Sequence, residues 1–330
     1  MFKRFVYFLL LLVIFFTFTL TSCRKDKDAK PAIEAGEREN TIDHTTAEAN
    51  FDNAIDMSND ATTVWQNDLA RTNGEEEINQ RAFGCAQVVN IERGIDPATN
   101  RPFRRFTLDF GNGSNPVPCL DGRTRRGKII VYILLPANYN NPLRIPLHLI
   151  SGAEKTVTFD EYFVDNVKVE GRIKVSNITN GQPVINLNTG QITGVNGNLK
   201  YLRKVENGKL IFPDNTTFQW QAEKTIEWLE GWNSIVNLQN PFNDRFSVYG
   251  SYQGTNRRQA AFNATVSQNN PLIIFTGCIP RVHKPISGVV NLTIARANQP
   301  PRNMIIDYGN GTCDNTFTVT VNGQTVVINP

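Results

Sequence analysis

From about residue 83 to residue 330, apolar and polar side chains alternate, and this period of two constrains the fold more than any other feature of the chain. Lys128-Ile-Ile-Val-Tyr-Ile, Lys155-Thr-Val-Thr-Phe, Val167-Lys-Val-Glu, Asn198-Leu-Lys-Tyr-Leu, Phe218-Gln-Trp-Gln, Phe246-Ser-Val-Tyr, Gly288-Val-Val-Asn-Leu-Thr-Ile and Phe317-Thr-Val-Thr-Val all read as strands. Two-residue turn signals sit between such runs at Asp165-Asn166, Asn207-Gly208 and Asn322-Gly323. A type I′ turn needs positive φ at both central positions, which Asn, Asp and Gly tolerate, so each pair is expected to join antiparallel neighbours. No helical crossover pattern intervenes. The expected fold class is all-β: an extended antiparallel β-meander (half-barrel, barrel or sandwich) with one N-terminal amphipathic helix.

The helix is expected over 47–70. Ala47, Phe51, Ala54, Ile55, Ser58, Thr62, Trp65 and Leu69 recur at three- and four-residue spacing, and Thr45-x-x-Glu48 reads as a capping box. The alternative is a frayed continuation of the segment before it. That segment, 23–46, reads as a charged flexible tether: Arg24, Lys25, Asp26, Lys27, Asp28, Lys30, Glu34, Glu37, Arg38 and Glu39 leave it almost no apolar group to bury.

Residues 1–22 read as a lipoprotein signal peptide. Lys3 and Arg4 precede the apolar run Phe5–Leu20, which is shorter than the roughly 20 residues of a bilayer span. Leu20-Thr21-Ser22-Cys23 then resembles a lipobox, in which the Cys23 thiol takes a diacylglycerol; several acyl chains suffice for stable anchoring. An uncleaved membrane anchor is the competing reading. The expected location is the outer membrane, lipid-anchored, on either its periplasmic or its surface face. Lys+Arg 34 against Asp+Glu 31 is too even a balance for a nucleic-acid binder, so the expected partners are the membrane, through the lipid, and a glycan or protein ligand.

A weak internal repeat organises the β region 47–330. Gly84-Cys85 precedes Thr107-Leu-Asp-Phe-Gly-Asn-Gly and Cys119; Gly277-Cys278 precedes Ile305-Ile-Asp-Tyr-Gly-Asn-Gly and Cys313. Related units therefore span about 83–135 and 276–330, one opening and one closing the sheet. The cysteine separations of 34 and 35 favour disulfides Cys85–Cys119 and Cys278–Cys313. Two alternatives are the cross-pairing Cys85–Cys278 with Cys119–Cys313, and four buried thiols.

Candidate chemistry is sparse. Asp109, Asn112 and Asp121, with Asp307, Asn310 and Asp314, offer oxygen ligands for Ca²⁺, but they lack the alternation and bidentate Glu of an EF-hand loop. Asx turns explain the same residues without a cofactor. Arg123, Arg125, Arg126 and Lys128 form the densest basic cluster, read as a solvated loop and strand face or as an anion contact. Glu223, Glu227 and Glu230 could supply the carboxylate pair of a glycosidase, and Trp220, Trp228 and Trp232 a sugar-stacking platform; edge charges and core aromatics are the plainer readings. There is no Gly-x-Ser-x-Gly, His-Glu-x-x-His or Cys-x-x-Cys, and His44, His148 and His283 are the only histidines. No catalytic residue emerges, and the enzyme question leans to no.

Several segments together resemble a group of Bacteroidetes lipoproteins. They are Asp109-Phe-Gly-Asn-Gly, Cys119-Leu-Asp-Gly-Arg-Thr-Arg-Arg-Gly-Lys-Ile and Asp307-Tyr-Gly-Asn-Gly-Thr-Cys-Asp-Asn, with Thr158-Phe-Asp-Glu-Tyr-Phe-Val and Trp228-Leu-Glu-Gly-Trp232 in support. The resemblance covers most of 85–330. It implies architecture and compartment, and lends no catalytic residue.

Overall fold

The computed structural model describes residues 35–71, 84–112, 115–137, 147–186, 189–234, 243–278, 285–296, 298–314 and 316–328. Cys23, the signal peptide, the first part of the expected tether and His283 lie outside them. One α-helix, α1 (Ala35–Arg71), precedes the strands. These are β1 (Gln87–Ile95), β2 (Pro102–Asp109), β3 (Val117–Pro118), β4 (Thr124–Leu134), β5 (Glu154–Val164), β6 (Val167–Asn177), β7 (Val184–Ile185), β8 (Ile192–Thr193) and β9 (Leu199–Ile211), followed by β10 (Thr217–Glu230), β11 (Arg245–Thr255), β12 (Ala261–Val266), β13 (Leu272–Phe275), β14 (Ser287–Arg296), β15 (Gln299–Asn310), β16 (Phe317–Val321) and β17 (Gln324–Ile328).

Fifteen strands make one antiparallel sheet whose spatial order follows the chain, from β1 through β2, β4, β5, β6, β9, β10, β11, β12, β14, β15 and β16 to β17. β3 pairs with β4, β13 fills the gap between the start of β11 and β14, and β7–β8 form a separate ribbon. Among the described residues β1 and β17 do not pair, so the ladder is open there and the meander is not a hydrogen-bonded barrel. The alternation works as expected. In β10 Phe218, Trp220, Ala222 and Lys224 are buried on one face, while Gln219, Gln221 and Glu223 are exposed on the other.

The helix lies on the buried face. Its side chains meet β4, β5, β9, β10 and β11, which requires the sheet to curve around it. Phe51 stacks on Trp220 with ring centroids 5.2 Å apart, and Ala47, Ala54, Met57 and Ala61 complete the apolar part of the contact.

Two expectations need correction. The helix starts at Ala35, so the second half of the expected tether is helical, and Thr45 and Glu48 form no capping box. The Thr45 hydroxyl instead donates to the Ile42 carbonyl within the helix (2.8 Å), and Glu48 reaches into the sheet. Sequence pattern missed this because the added turns bury polar groups, Thr41, Asp43 and His44, rather than an apolar stripe. Second, Asn207-Gly208 is no hairpin turn. Asn207 has φ 52°, but both residues lie inside β9, where the registers with β6 and β10 each slip. Gly208 is required because a Cβ there would come within 3.0 Å of Phe51 and 2.4 Å of the Trp220 carbonyl oxygen. Asp165-Asn166 and Asn322-Gly323 do turn the β5–β6 and β16–β17 hairpins, with positive φ at all four positions.

The repeat units occupy opposite ends of the sheet. Cys85–Cys119 closes the first, with a Cα separation of 5.0 Å, and Cys278–Cys313 closes the second, at 5.3 Å.

Candidate functional site

A helix lying on a sheet normally buries an apolar stripe, but here the contact is largely ionic. Inward-facing positions of successive strands carry cations: Arg125 on β4, Lys155 on β5, Arg203 on β9 and Lys224 on β10, all buried. The helix supplies the matching groups. Glu48 pairs with Lys224 through both carboxylate oxygens and with Arg203 Nη2 at 3.0 Å, and Arg203 also pairs with Asp52. Burial pushes the Glu48 carboxyl up, but Lys224 and Arg203 together outweigh it and hold it at about 2. Arg125 donates to Asn53 Oδ1 (2.5 Å) and to Asp121 Oδ1 (2.7 Å), and Arg123 donates to Asn50 Oδ1 (2.6 Å). Near the start of α1, Arg257 holds Asp43 (2.8 Å) and Glu39 (3.1 Å). Beside Glu48 the His44 ring stacks on Tyr252 at 4.3 Å, and burial, with Lys224 adding, pushes it down to about 4 despite the Glu48 charge.

A second polar cluster lies further along the helix. The Lys155 ammonium donates to Ser58 Oγ at 2.7 Å and to Asn59 Oδ1 at 2.5 Å. Burial pushes the amine down to about 7, with Asp56 opposing. His148 is half-buried alongside and pushed down to about 3, by desolvation first and by the Lys155 charge second. Asp244 accepts a hydrogen bond from the Trp228 indole N–H (3.2 Å) and rises to about 7, through burial and then the charge of Asp56. Serine beside a partly deprotonated lysine is the geometry of a nucleophile and its base. Yet Ser58 is completely buried and its hydroxyl donates to the Ile55 carbonyl at 2.6 Å, so no external substrate can approach it.

Strand parity disperses the candidates picked out from the sequence. Arg125 turns inward, Arg126 lies 3.3 Å above the Phe163 ring on the other face, Arg123 pairs with Asp165 (2.8 Å) and Lys128 approaches Asp109 (3.8 Å). The solvated basic cluster is therefore no cluster. Glu223, Glu227 and Glu230 pair separately with Lys204, Lys200 and Arg245, so they do not converge as a catalytic carboxylate pair. Trp220 and Trp228 are buried and Trp232 is half-buried, so the three do not form an exposed stacking platform.

Asp109 and Asp307 are equivalent Asx-turn acceptors, taking the N–H of Gly111 and of Gly309 at 2.8 Å each. Asp121 is committed to Arg125, while Asn310 and Asp314 bond to Thr312. Asn112 is exposed. Among the described residues no three His, Cys, Asp or Glu side chains group as metal ligands would.

On the face away from the helix, β9 to β15 form a groove of about 690 Å³. The side chains of Gln219, Gln221, Gln253, Asn263 and Thr293 line it, with Lys209 as the one charged residue. In register, Gln221 faces Gln253, Gln253 faces Asn263, and Asn263 faces Thr293.

The interior residues Lys155, Arg203 and Lys224 were missed in the sequence because lysines and arginines in strands read as solvent-facing. A signal did exist. Lys224 shares parity with Phe218, Trp220 and Ala222, and Arg125 with Ile129 and Val131, so each falls on the apolar face.

No family model matches the chain, no curated protein is similar to it, and no solved structure matches it. Fold and site thus define only a class: an antiparallel β-sheet curled around an ion-paired helix and closed at both ends by a disulfide-bonded repeat.

Proposed function

We propose that the chain is a lipid-anchored outer-membrane protein, tethered through Cys23, whose β body has a structural or binding role. The observation that supports this best is the pair of disulfides, each closing one copy of the repeat, because such bonds persist in an oxidising compartment outside the cytosol. The apolar run ending in Leu-Thr-Ser-Cys23 supplies the route there. The helix begins at Ala35, twelve positions after Cys23, so the anchor is expected to deliver its load directly into the ion-paired core.

Metabolic labelling with a fatty acid tests the anchor. The wild-type protein should take up label and partition with membranes, whereas Cys23→Ala should remain unlabelled and keep its signal peptide. Equal labelling of both would sink the proposal.

A second reading, a carbohydrate-binding module, rests on the outer groove. Its row of uncharged amide and hydroxyl side chains matches a neutral, hydroxyl-rich chain, although the two aromatic residues on its lining, Trp220 and Phe262, are buried. Calorimetric titration with neutral oligosaccharides should show binding that the Gln221→Ala/Gln253→Ala variant loses. Binding that survives in that variant would remove the groove from consideration.

A further inference from the structure

We propose that Lys155 and Asn59 become joined by an intramolecular isopeptide bond, a covalent tie between α1 and β5. Lys155 Nζ lies 2.5 Å from Asn59 Oδ1, which brings it against the carboxamide carbon that bears this oxygen. The amine is held there from two sides, since Ser58 Oγ accepts its other hydrogen bond at 2.7 Å, and Ser58 is completely buried. Water is thereby excluded from the reacting amine, and Nζ and the carbonyl meet in a fixed orientation. Well-oriented intramolecular partners of this kind reach effective concentrations of about 10⁵–10⁸ M.

The neighbouring charges suit the chemistry. Burial pushes the amine down to about 7, so an unprotonated lone pair is available near neutral pH. Asp56 lies three residues before Asn59, on the same side of the helix, and its charge acts on Lys155. The charge of Asp56 also acts on Asp244, whose carboxyl burial raises to about 7. His148 faces the same lysine and is uncharged above about 3, so it adds no competing positive charge.

The step balances without an oxidant or co-reactant. The Nζ lone pair attacks Cγ of Asn59, and the Asp56 carboxylate accepts a proton from Nζ as charge develops on the carbonyl oxygen. A proton passes from Nζ, by way of Asp56, to the departing amide nitrogen. The Cγ–Nδ2 bond breaks, the Cγ–Nζ bond remains, and one ammonia leaves. Asn59 is only half-buried, which gives the small product an exit. The result ties the helix nearest the chain's N-terminal side covalently to a central strand. This inference concerns the folded body and is independent of whether Cys23 is acylated.

Mass spectrometry of proteolytic fragments, after reduction and alkylation, tests it. The wild-type protein is expected to yield a branched fragment joining the peptide that contains Asn59 to the one that contains Lys155, lighter than their sum by one ammonia. Lys155→Arg and Asp56→Ala should abolish that fragment, and Asn59→Asp should yield it with loss of water instead. Because the wild-type digest decides alone, misfolding of a variant does not shield the proposal. Recovery of both peptides only in linear form would overturn it. Loss of ammonia at Asn59 without a linked partner, the mark of a succinimide, would overturn it equally.

Discussion

Replacing Glu48 with alanine is expected to destabilise the protein by about 3–5 kcal/mol, the cost of removing one partner from a buried ion pair. Among the described residues Glu48 is the carboxylate that bonds to Lys224, which is itself completely buried. Arg203 would keep Asp52, so the orphaned charge falls mainly on Lys224. The rings of Tyr252 and Trp220, with centroids 4.4 Å and 5.4 Å from its ammonium, offer a cation–π attraction of only about 0.5–2 kcal/mol. Urea unfolding should show a lower midpoint with little change in slope. Adding Lys224→Met to Glu48→Leu should recover most of the loss, because well-packed apolar groups often replace a buried pair at no net cost. A loss below about 1 kcal/mol for Glu48→Ala, the value of an exposed pair, would show that this contact does not hold the helix in place.

What could be read from the sequence, and what could not, follows from the range of the interactions involved. The turns at Asp165-Asn166 and Asn322-Gly323 were legible because positive φ is a local demand that only a few residue types meet. Asn207-Gly208 makes the same local demand, yet it sits inside β9. The deciding partners, Phe51 and Trp220, come from the helix and from the next strand. The disulfides were legible because the repeat carried the pairing in its own spacing. The helix between Ala35 and Thr46 was not, since what pairs with Asp43 and Glu39 is Arg257, more than 200 positions away. The polar cluster around Lys155 has the same character. Ser58 looked like one more small residue on a helical stripe, and only the docking of β5 places an amine against it.

Acidification is expected to destabilise the protein from about pH 6.5 downwards through His44 and His148, while Asp244, whose folded value of about 7 lies above the ordinary 3.8, opposes them over the same range. His44 is buried and His148 half-buried, both as neutral rings held at about 4 and about 3, whereas in the unfolded chain they would titrate near 6.5. Between those values the unfolded state binds protons that the folded state refuses, so stability falls as pH falls. For His44 the window runs from about 6.5 to about 4; among the described residues neither ring nitrogen has a hydrogen-bond partner, and the Glu48 carboxylate 4.0 Å away offsets its burial only in part. At 1.36 kcal/mol per pKa unit, the buried His44 accounts for a loss on the order of 3 kcal/mol once its window has been crossed. Glu48 then adds to it lower down. Its folded value of about 2 lies below the ordinary 4.5, so the stability it confers is complete above about 4.5 and disappears as pH drops towards 2. Urea midpoints measured at pH 7, 5.5 and 4 should therefore decline, and His44→Gln should flatten the upper part of that decline while leaving the part below pH 4 in place. A His44→Gln profile that runs parallel to the wild-type profile from pH 7 to pH 4 would mean that His44 is solvated and that the helix is not seated against Tyr252 as the structure has it.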